Sequence, residues 1–197
     1  MGTRLPVCAV ILAGGASQRL GGIDKAWKPL AGEPLLRRVV AQLQPQVERW
    51  VLSANRELPH HPEEGWTVIA DADPAARAGP LAGMAACSQA LPPGDLLFIP
   101  VDAWRLPAAL LTALAQAAGA GGLACGEQAA GWLPLPCWVA ARRREDLLQA
   151  WAAGERSPLR WLRQAGAITV SISDAEAEGL SLNTADEWAR AERILRA

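Results

Sequence analysis

An apolar run that stops on paired glycines constrains this chain more than any other feature. Val7-Cys8-Ala9-Val10-Ile11-Leu12 carries no polar side chain at alternate positions. It therefore suits a strand covered on both faces, as in a parallel sheet. Ala13 leads into Gly14-Gly15, and Ser17, Arg19, a second pair Gly21-Gly22 and Lys25 follow. Glycine reaches positive φ and lets a ligand come close to the main chain. Main-chain N–H groups, a hydroxyl and two cations on one loop are the equipment of a polyphosphate cradle. The competing reading is a glycine-rich turn that binds nothing. Two common phosphate motifs are absent: Ile23 follows Gly22, which breaks Gly-x-x-x-x-Gly-Lys-Ser/Thr, and there is no Gly-x-Gly-x-x-Gly.

The chain beyond Lys25 alternates strand and helix. Residues 29–34 read as a turn. Apolar positions 35, 36, 39, 40 and 43 give a helix over Leu35 to Leu43, ended by Gln44-Pro45. Trp50 to Leu52 and Thr67 to Ala70 are short strands, the second ending at Asp71. A helix runs from near Pro80 to Ala90, Asp95 to Val101 is the next strand, and Asp102 closes it. Leu106 to Ala118, opened by Pro107, is an apolar helix. Such alternation implies a right-handed α/β arrangement around a parallel sheet.

From Gly119 the texture changes. Leu123 to Gly126 and Leu135 to Val139 read as two strands joined by residues 127–134, with Pro134 and Pro136 best placed on an edge. Helices near 144–152 and 157–165, a strand Ile168 to Ile172 and a last helix near 184–196 complete the chain. Asn183 or Thr184 is placed to cap that helix. Arg142-Arg143-Arg144 reads as a solvated helix start, or else as an attractor for an acidic substrate.

Ligands of open α/β sheets sit beyond the carboxyl ends of the strands. That rule puts Gly14, Ser53, Asp71 and Asp102 along one edge. A carboxylate at Asp102 suits Mg²⁺, a hard ion that binds triphosphate through few protein groups; the alternative is an aspartate that only caps a turn. Asp71 suits a sugar hydroxyl or a water-bridged metal, or is a solvated turn residue beside Asp73. Pro80-Leu81-Ala82-Gly83 opens a helix whose first N–H groups could face an anion or a base carbonyl, or merely pack tightly.

Composition narrows the function classes. The 197 residues suit one domain, and 51% hydrophobic content allows a substantial core. A net charge of −1 provides no strong field for nucleic acid or an anionic membrane. No apolar run reaches the ~18 residues of a membrane span, and Met1 to Pro6 is too short for a signal peptide. The four cysteines, at 8, 87, 125 and 137, lie far apart and point to a cytoplasmic protein with reduced thiols rather than to a zinc site. His60-His61 sits between prolines in a loop and has too few partners for a metal. Nine Trp stand beside no Tyr, with no function attached to them.

Leu12-Ala13-Gly14-Gly15, Ser17, Arg19, Gly22, Asp24 and Lys25 resemble, with one residue more between Arg19 and Gly22, the L-A-G-G-x-S-x-R-x-G-x-D-K signature of nucleotidyltransferases, in particular the molybdenum cofactor guanylyltransferase (MobA) family. Relatives that use CTP tend to have a second alanine where Gly14 stands, so the stretch leans towards guanine. Val68 to Asp71, Pro80 to Met84, Asp102, Pro134-Leu135-Pro136, Gly154-Glu155-Arg156 and Leu182-Asn183-Thr184 fall in the family's order. The resemblance implies a three-layer, Rossmann-like α/β fold, mainly parallel, with helices on both faces. It implies one nucleotidyltransferase domain, with residues 1–118 as the nucleotide half and 119–197 as the acceptor half. It further implies that Leu12, Ala13, Gly14, Gly15, Lys25, Asp71 and Asp102 contact GTP, that Asp102 holds Mg²⁺, and that Lys25, Arg19 and Asp102 serve catalysis. The acceptor would be molybdenum-bound molybdopterin, with transient contact to other molybdenum cofactor proteins, and no nucleic acid or membrane would be involved. Three departures stand out: Ser53 for the first amide of Asn-x-Asn, Val101 and Trp104 for the Cys and second Pro of Pro-Cys-Asp-x-Pro, and Ser181 for an Asn. The alternatives are a cytidylyltransferase, a sugar-phosphate nucleotidyltransferase, or a nucleotide-binding module without catalysis.

Overall fold

The computed structural model describes residues 4–14, 25–54, 65–70 and 79–196. Its centre is a seven-stranded sheet. The apolar run forms β1 (Leu5–Leu12), with β4 (Val47–Ser53) on one side and β6 (Leu96–Pro100) on the other. β5 (Val68–Ile69) extends the sheet beyond β4, and β8 (Gly131–Val139), β7 (Leu123–Gln128) and β9 (Ile168–Ser171) extend it beyond β6, giving the order β5-β4-β1-β6-β8-β7-β9. Every pairing is parallel except the two made by β8. A separate two-stranded ladder, β2 (Pro29–Leu30) with β3 (Glu33–Pro34), occupies the stretch read as a turn.

Side chains alternate across the sheet, as a period of two demands. Val7, Ala9 and Ile11 of β1 and Leu97 and Ile99 of β6 face one layer, closed by α1 (Leu35–Leu43) and α3 (Ala108–Gly121). Cys8, Val10, Leu96 and Phe98 face the other, closed by α2 (Pro80–Ala90), α4 (Arg144–Ala152) and α5 (Pro158–Gln164). The α/β three-layer expectation therefore holds. A third cluster joins Leu30, Leu35, Trp104 and Leu182 to Trp188 of α7 (Ala185–Arg196). Among the tryptophans, Trp27 stacks on Trp66 with centroids 6.1 Å apart, and Trp50 meets Trp66 edge-on at 5.6 Å.

Three expectations need correction. The strands of the 123–139 hairpin are longer than the sequence implies and meet at Ala129-Ala130. Pro134 and Pro136 lie on β8, an inner strand, not an edge. They are tolerated because the β7 ladder steps from Cys125–Cys137 to Gly126–Leu133, so residues 134–136 need no partner there, and β6 pairs only with Cys137 to Val139. The arginine triplet stands at a helix start, but only Arg142 of the three is exposed. Arg144 is buried and donates to the carbonyls of Ser88, Leu91 (2.7 Å), Pro92 (2.6 Å) and Gly94 (3.2 Å) at the end of α2. Arg142 donates to Ala118, Gly119 and Ala120 near the end of α3, and Arg143 to Gly121 and Ala165. The last carbonyls of a helix lack internal partners and carry its negative end, so three adjacent guanidiniums fasten three helix ends. A short helix, α6 (Asp174–Glu178), was not expected; a reciprocal Ser173–Glu176 capping box starts it.

Candidate active site

The strand order reverses direction at β1: the chain passes outward to β4 and β5, then returns to β6 on the far side. A crevice opens at such a switch point, outside the carboxyl ends. Here Leu12 lies in register with Ser53 and with Pro100. Ala13 donates to the Ser53 carbonyl at 2.8 Å, and Val101 to that of Leu12 at 3.2 Å. The chain thus leaves β1 between the exits of β4 and β6. Ala13 is buried and Gly14 is exposed at that edge.

Asp102 stands at the exit of β6. Its Oδ2 is 2.9 Å from Lys25 Nζ, and both side chains keep less than a fifth of their surface exposed. Lys25 Nζ also donates to Asn183 Oδ1 at 3.2 Å. The lysine is carried by a turn tied to the start of α1, because Leu36 N–H donates to the Ala26 carbonyl and Leu35 N–H to that of Lys28. Asn183 is fixed from the other side. The Glu187 carboxylate accepts the N–H of Asn183 (2.5 Å) and of Thr184 (2.9 Å), while Thr184 Oγ1 accepts the Glu187 N–H. This reciprocal cap starts α7, and the Asn183 N–H is the largest influence holding the Glu187 carboxyl below its ordinary pKa.

Of the expected site residues, the structure brings Leu12, Ala13, Gly14, Lys25 and Asp102 to one edge, and Ser53 joins them. Gly15, Arg19 and Asp71 lie outside the described residues, as do Ser17, Gly22 and His60-His61. Asn183 or Thr184 was expected to cap the last helix; Thr184 does so, and the Asn183 side chain reaches the lysine. The signal was present in Asn183-Thr184 followed by Glu187, but only the tertiary approach to Lys25 gives the amide this partner. Among the described residues no group of three or more His, Cys, Asp or Glu gathers. A carboxylate and a carboxamide oxygen on one ammonium are nevertheless a hard-oxygen donor set. That set fits Mg²⁺, which takes one or two protein carboxylates and completes its shell with water and phosphate.

Comparison with known proteins decides the family. A model of the MobA-like NTP transferase domain matches residues 9–168. The chain belongs to the MobA-like NTP transferase family. The molybdenum cofactor guanylyltransferase of Ectopseudomonas mendocina is 33% identical over 94% of this chain and 92% of its own length. That of Serratia proteamaculans is 35% identical over 93% of each. In fold, the chain matches molybdopterin-guanine dinucleotide biosynthesis protein A from Archaeoglobus fulgidus with a TM-score of 0.74 at 22% identity, covering 96% of this chain and 99% of that one. It also matches 2-C-methyl-D-erythritol 4-phosphate cytidylyltransferase from Thermus thermophilus, with a TM-score of 0.72 at 14% identity, 98% and 100% covered. The α/β nucleotidyltransferase architecture of this family is the one described above.

Proposed function

We propose that this chain transfers GMP from GTP to molybdenum-bound molybdopterin, giving the guanine dinucleotide form of the cofactor and pyrophosphate. The observation that carries the reading is the Lys25–Asp102 pair, bridged to Asn183, at the switch point of the sheet. The guanylyltransferase relatives above, matched over more than nine-tenths of the chain, support the same reaction. The cytidylyltransferase reported above is alike in fold at 14% identity, well below the identity of the guanylyltransferase relatives.

In the reaction, a terminal phosphate oxygen of the acceptor forms a bond to the α-phosphorus of GTP. The bond from that phosphorus to its bridging oxygen breaks, and pyrophosphate leaves with the electron pair. The ionised phosphate is already a nucleophile, so the protein need not remove a proton; it positions the reactants and offsets charge. The N–H groups of Gly14 and Gly15 and the cations Arg19 and Lys25 cradle the triphosphate. Asp71 accepts from the nucleotide sugar. Lys25, held between two oxygens, is a point charge whose place is set before substrate arrives. Asp102, with Asn183 beside it, would hold Mg²⁺, which supplies charge neutralisation on the phosphates when bound. A carboxylate offers about four lone-pair positions, so Asp102 can serve both lysine and metal. We read residues 1–118 as the nucleotide half and 119–197 as the acceptor half, and place the reaction in the cytoplasm.

Thermal stabilisation by nucleotides tests this reading. Binding to the native state raises its stability by RT ln(1 + [L]/Kd). GTP with Mg²⁺ should raise Tm more than CTP, ATP or UTP, and more than GTP without the metal. A shift selective for CTP would replace guanylyl by cytidylyl transfer, and no shift with any nucleotide would reject the cradle.

A further inference from the structure

The turn that presents Asp102 has little holding it from within. Ala103 N–H donates to the Pro100 carbonyl at 3.1 Å and Trp104 N–H to that of Asp102 at 3.0 Å. Besides the Lys25 ion pair to the carboxylate and the Val101 N–H bond to the Leu12 carbonyl, ties among the described residues come from two further elements. On α1, Gln42 Nε2 donates to the Trp104 carbonyl at 3.0 Å and Oε1 accepts the Leu106 N–H at 2.8 Å. Nε2 also donates to the Arg38 carbonyl of its own helix at 3.1 Å. At the end of α6, the Glu178 carbonyl accepts the Trp104 indole N–H at 3.0 Å and the Gly179 carbonyl accepts the Arg105 N–H at 3.0 Å. The two backbones come so close that a Cβ on Gly179 would lie 2.9 Å from the Arg105 carbonyl oxygen.

We propose that Gln42 and Trp104 are positioning residues for Asp102, which fix its carboxylate by clamping residues 104–106 from α1 and from residues 178–179. The inference rests on the reading of Asp102 as the metal-holding carboxylate. The chemistry of Gln42 is specific. The Leu106 N–H can only donate, so the amide orientation is determined, with oxygen towards Leu106 and nitrogen towards two carbonyls. A carboxylate at this position would face those two carbonyl oxygens without a donor, and an apolar side chain would supply neither bond. Trp104 closes the clamp on the other side. Its ring is 2% exposed, within the cluster that joins Leu30 and Leu35 to α7, while its N–H reaches Glu178. Where the family resemblance leads one to expect a second proline after the aspartate, this chain stiffens the turn with a side-chain amide and an anchored indole.

The test is Mn²⁺ binding to the full chain with a non-hydrolysable α,β-methylene analogue of GTP, read by the electron paramagnetic resonance signal of free Mn²⁺. Gln42→Met should weaken Mn²⁺ binding about tenfold, the scale for losing a group that orients a metal ligand, while metal-free nucleotide affinity stays unchanged. Gln42→Glu should weaken it at pH 8 and approach wild type as pH falls. Its carboxyl, facing two carbonyls, is stabilised in the protonated form and then regains a donor. Trp104→Phe, which keeps a smaller aromatic ring but not the indole N–H, should act in the same direction by less. A merely structural role would lower Tm without changing Mn²⁺ affinity in the folded protein. Wild-type Mn²⁺ affinity in folded Gln42→Met and Trp104→Phe would overturn the proposal while leaving the Asp102 reading intact. Absence of nucleotide-dependent Mn²⁺ binding in the wild-type chain would overturn both, the metal reading first.

Discussion

At the scale of residues, the account turns on an ammonium held between two oxygens. Lys25 is ordered by Asp102 and Asn183, so its charge is in place before a triphosphate arrives and little reorganisation is needed on binding. Lys25→Ala should therefore weaken GTP binding by about tenfold or more, on the scale of a lost charge-assisted hydrogen bond; an unchanged GTP Kd in calorimetry would contradict its place in the cradle. Lys25 and Asp102 were legible because each sits in a strand-and-loop pattern readable over a few residues. The Asn183 contact was not, since it spans 158 positions and depends on α7 returning to the edge of β6. Trp104 was visible only as a departure; its packing explains why a bulky residue is tolerated beside the aspartate.

At the scale of elements, helix ends matter at both edges of the sheet. Glu187 starts α7 and thereby holds Asn183. Its carboxyl is shifted down from the ordinary value of 4.5, first by the Asn183 N–H and further by the Thr184 N–H and hydroxyl, against an opposing effect of burial. A depressed carboxyl contributes stability that is present above the ordinary value and lost as pH falls through the folded-state value. Glu187→Gln should therefore be less stable than wild type near neutral pH, with the difference shrinking below about pH 4.5; parallel pH–Tm curves would contradict the cap. At the opposite edge, Arg144→Met leaves four carbonyls of the α2 end without their donor. A loss of about 2–4 kcal/mol is expected, with GTP affinity of the folded protein preserved, as urea titration and calorimetry would show. Leu35–Leu43 was readable from apolar spacing and matches its expected bounds, while the helices near 80–90 and 106–118 were readable from the prolines that bound them. The 123–139 hairpin was harder, because two prolines in an inner strand contradict the usual pattern until the skipped ladder positions are seen. The five-residue α6 has too few apolar positions to register, although its Ser173–Glu176 spacing was there to read.

At the scale of the whole molecule, the position of the site follows from topology. β1 begins the sheet and later strands add on both sides of it, so its carboxyl end and that of β6 flank a place where the connections diverge. The run Val7–Leu12 made β1 legible, and the alternation of elements made the parallel half legible. The antiparallel β8, by contrast, is set by pairings the local sequence does not announce. The central claim is transfer of GMP to the pterin at the Asp102 edge. Incubation of the chain with α-labelled GTP, Mg²⁺ and molybdenum-bound molybdopterin tests it directly, with label in the pterin product and released pyrophosphate measured together. The account predicts equal amounts of the two, little transfer from labelled CTP, and near-complete loss of both in a folded Asp102→Ala variant. Label transferred preferentially from CTP, pyrophosphate without labelled pterin, or undiminished transfer by Asp102→Ala would contradict it.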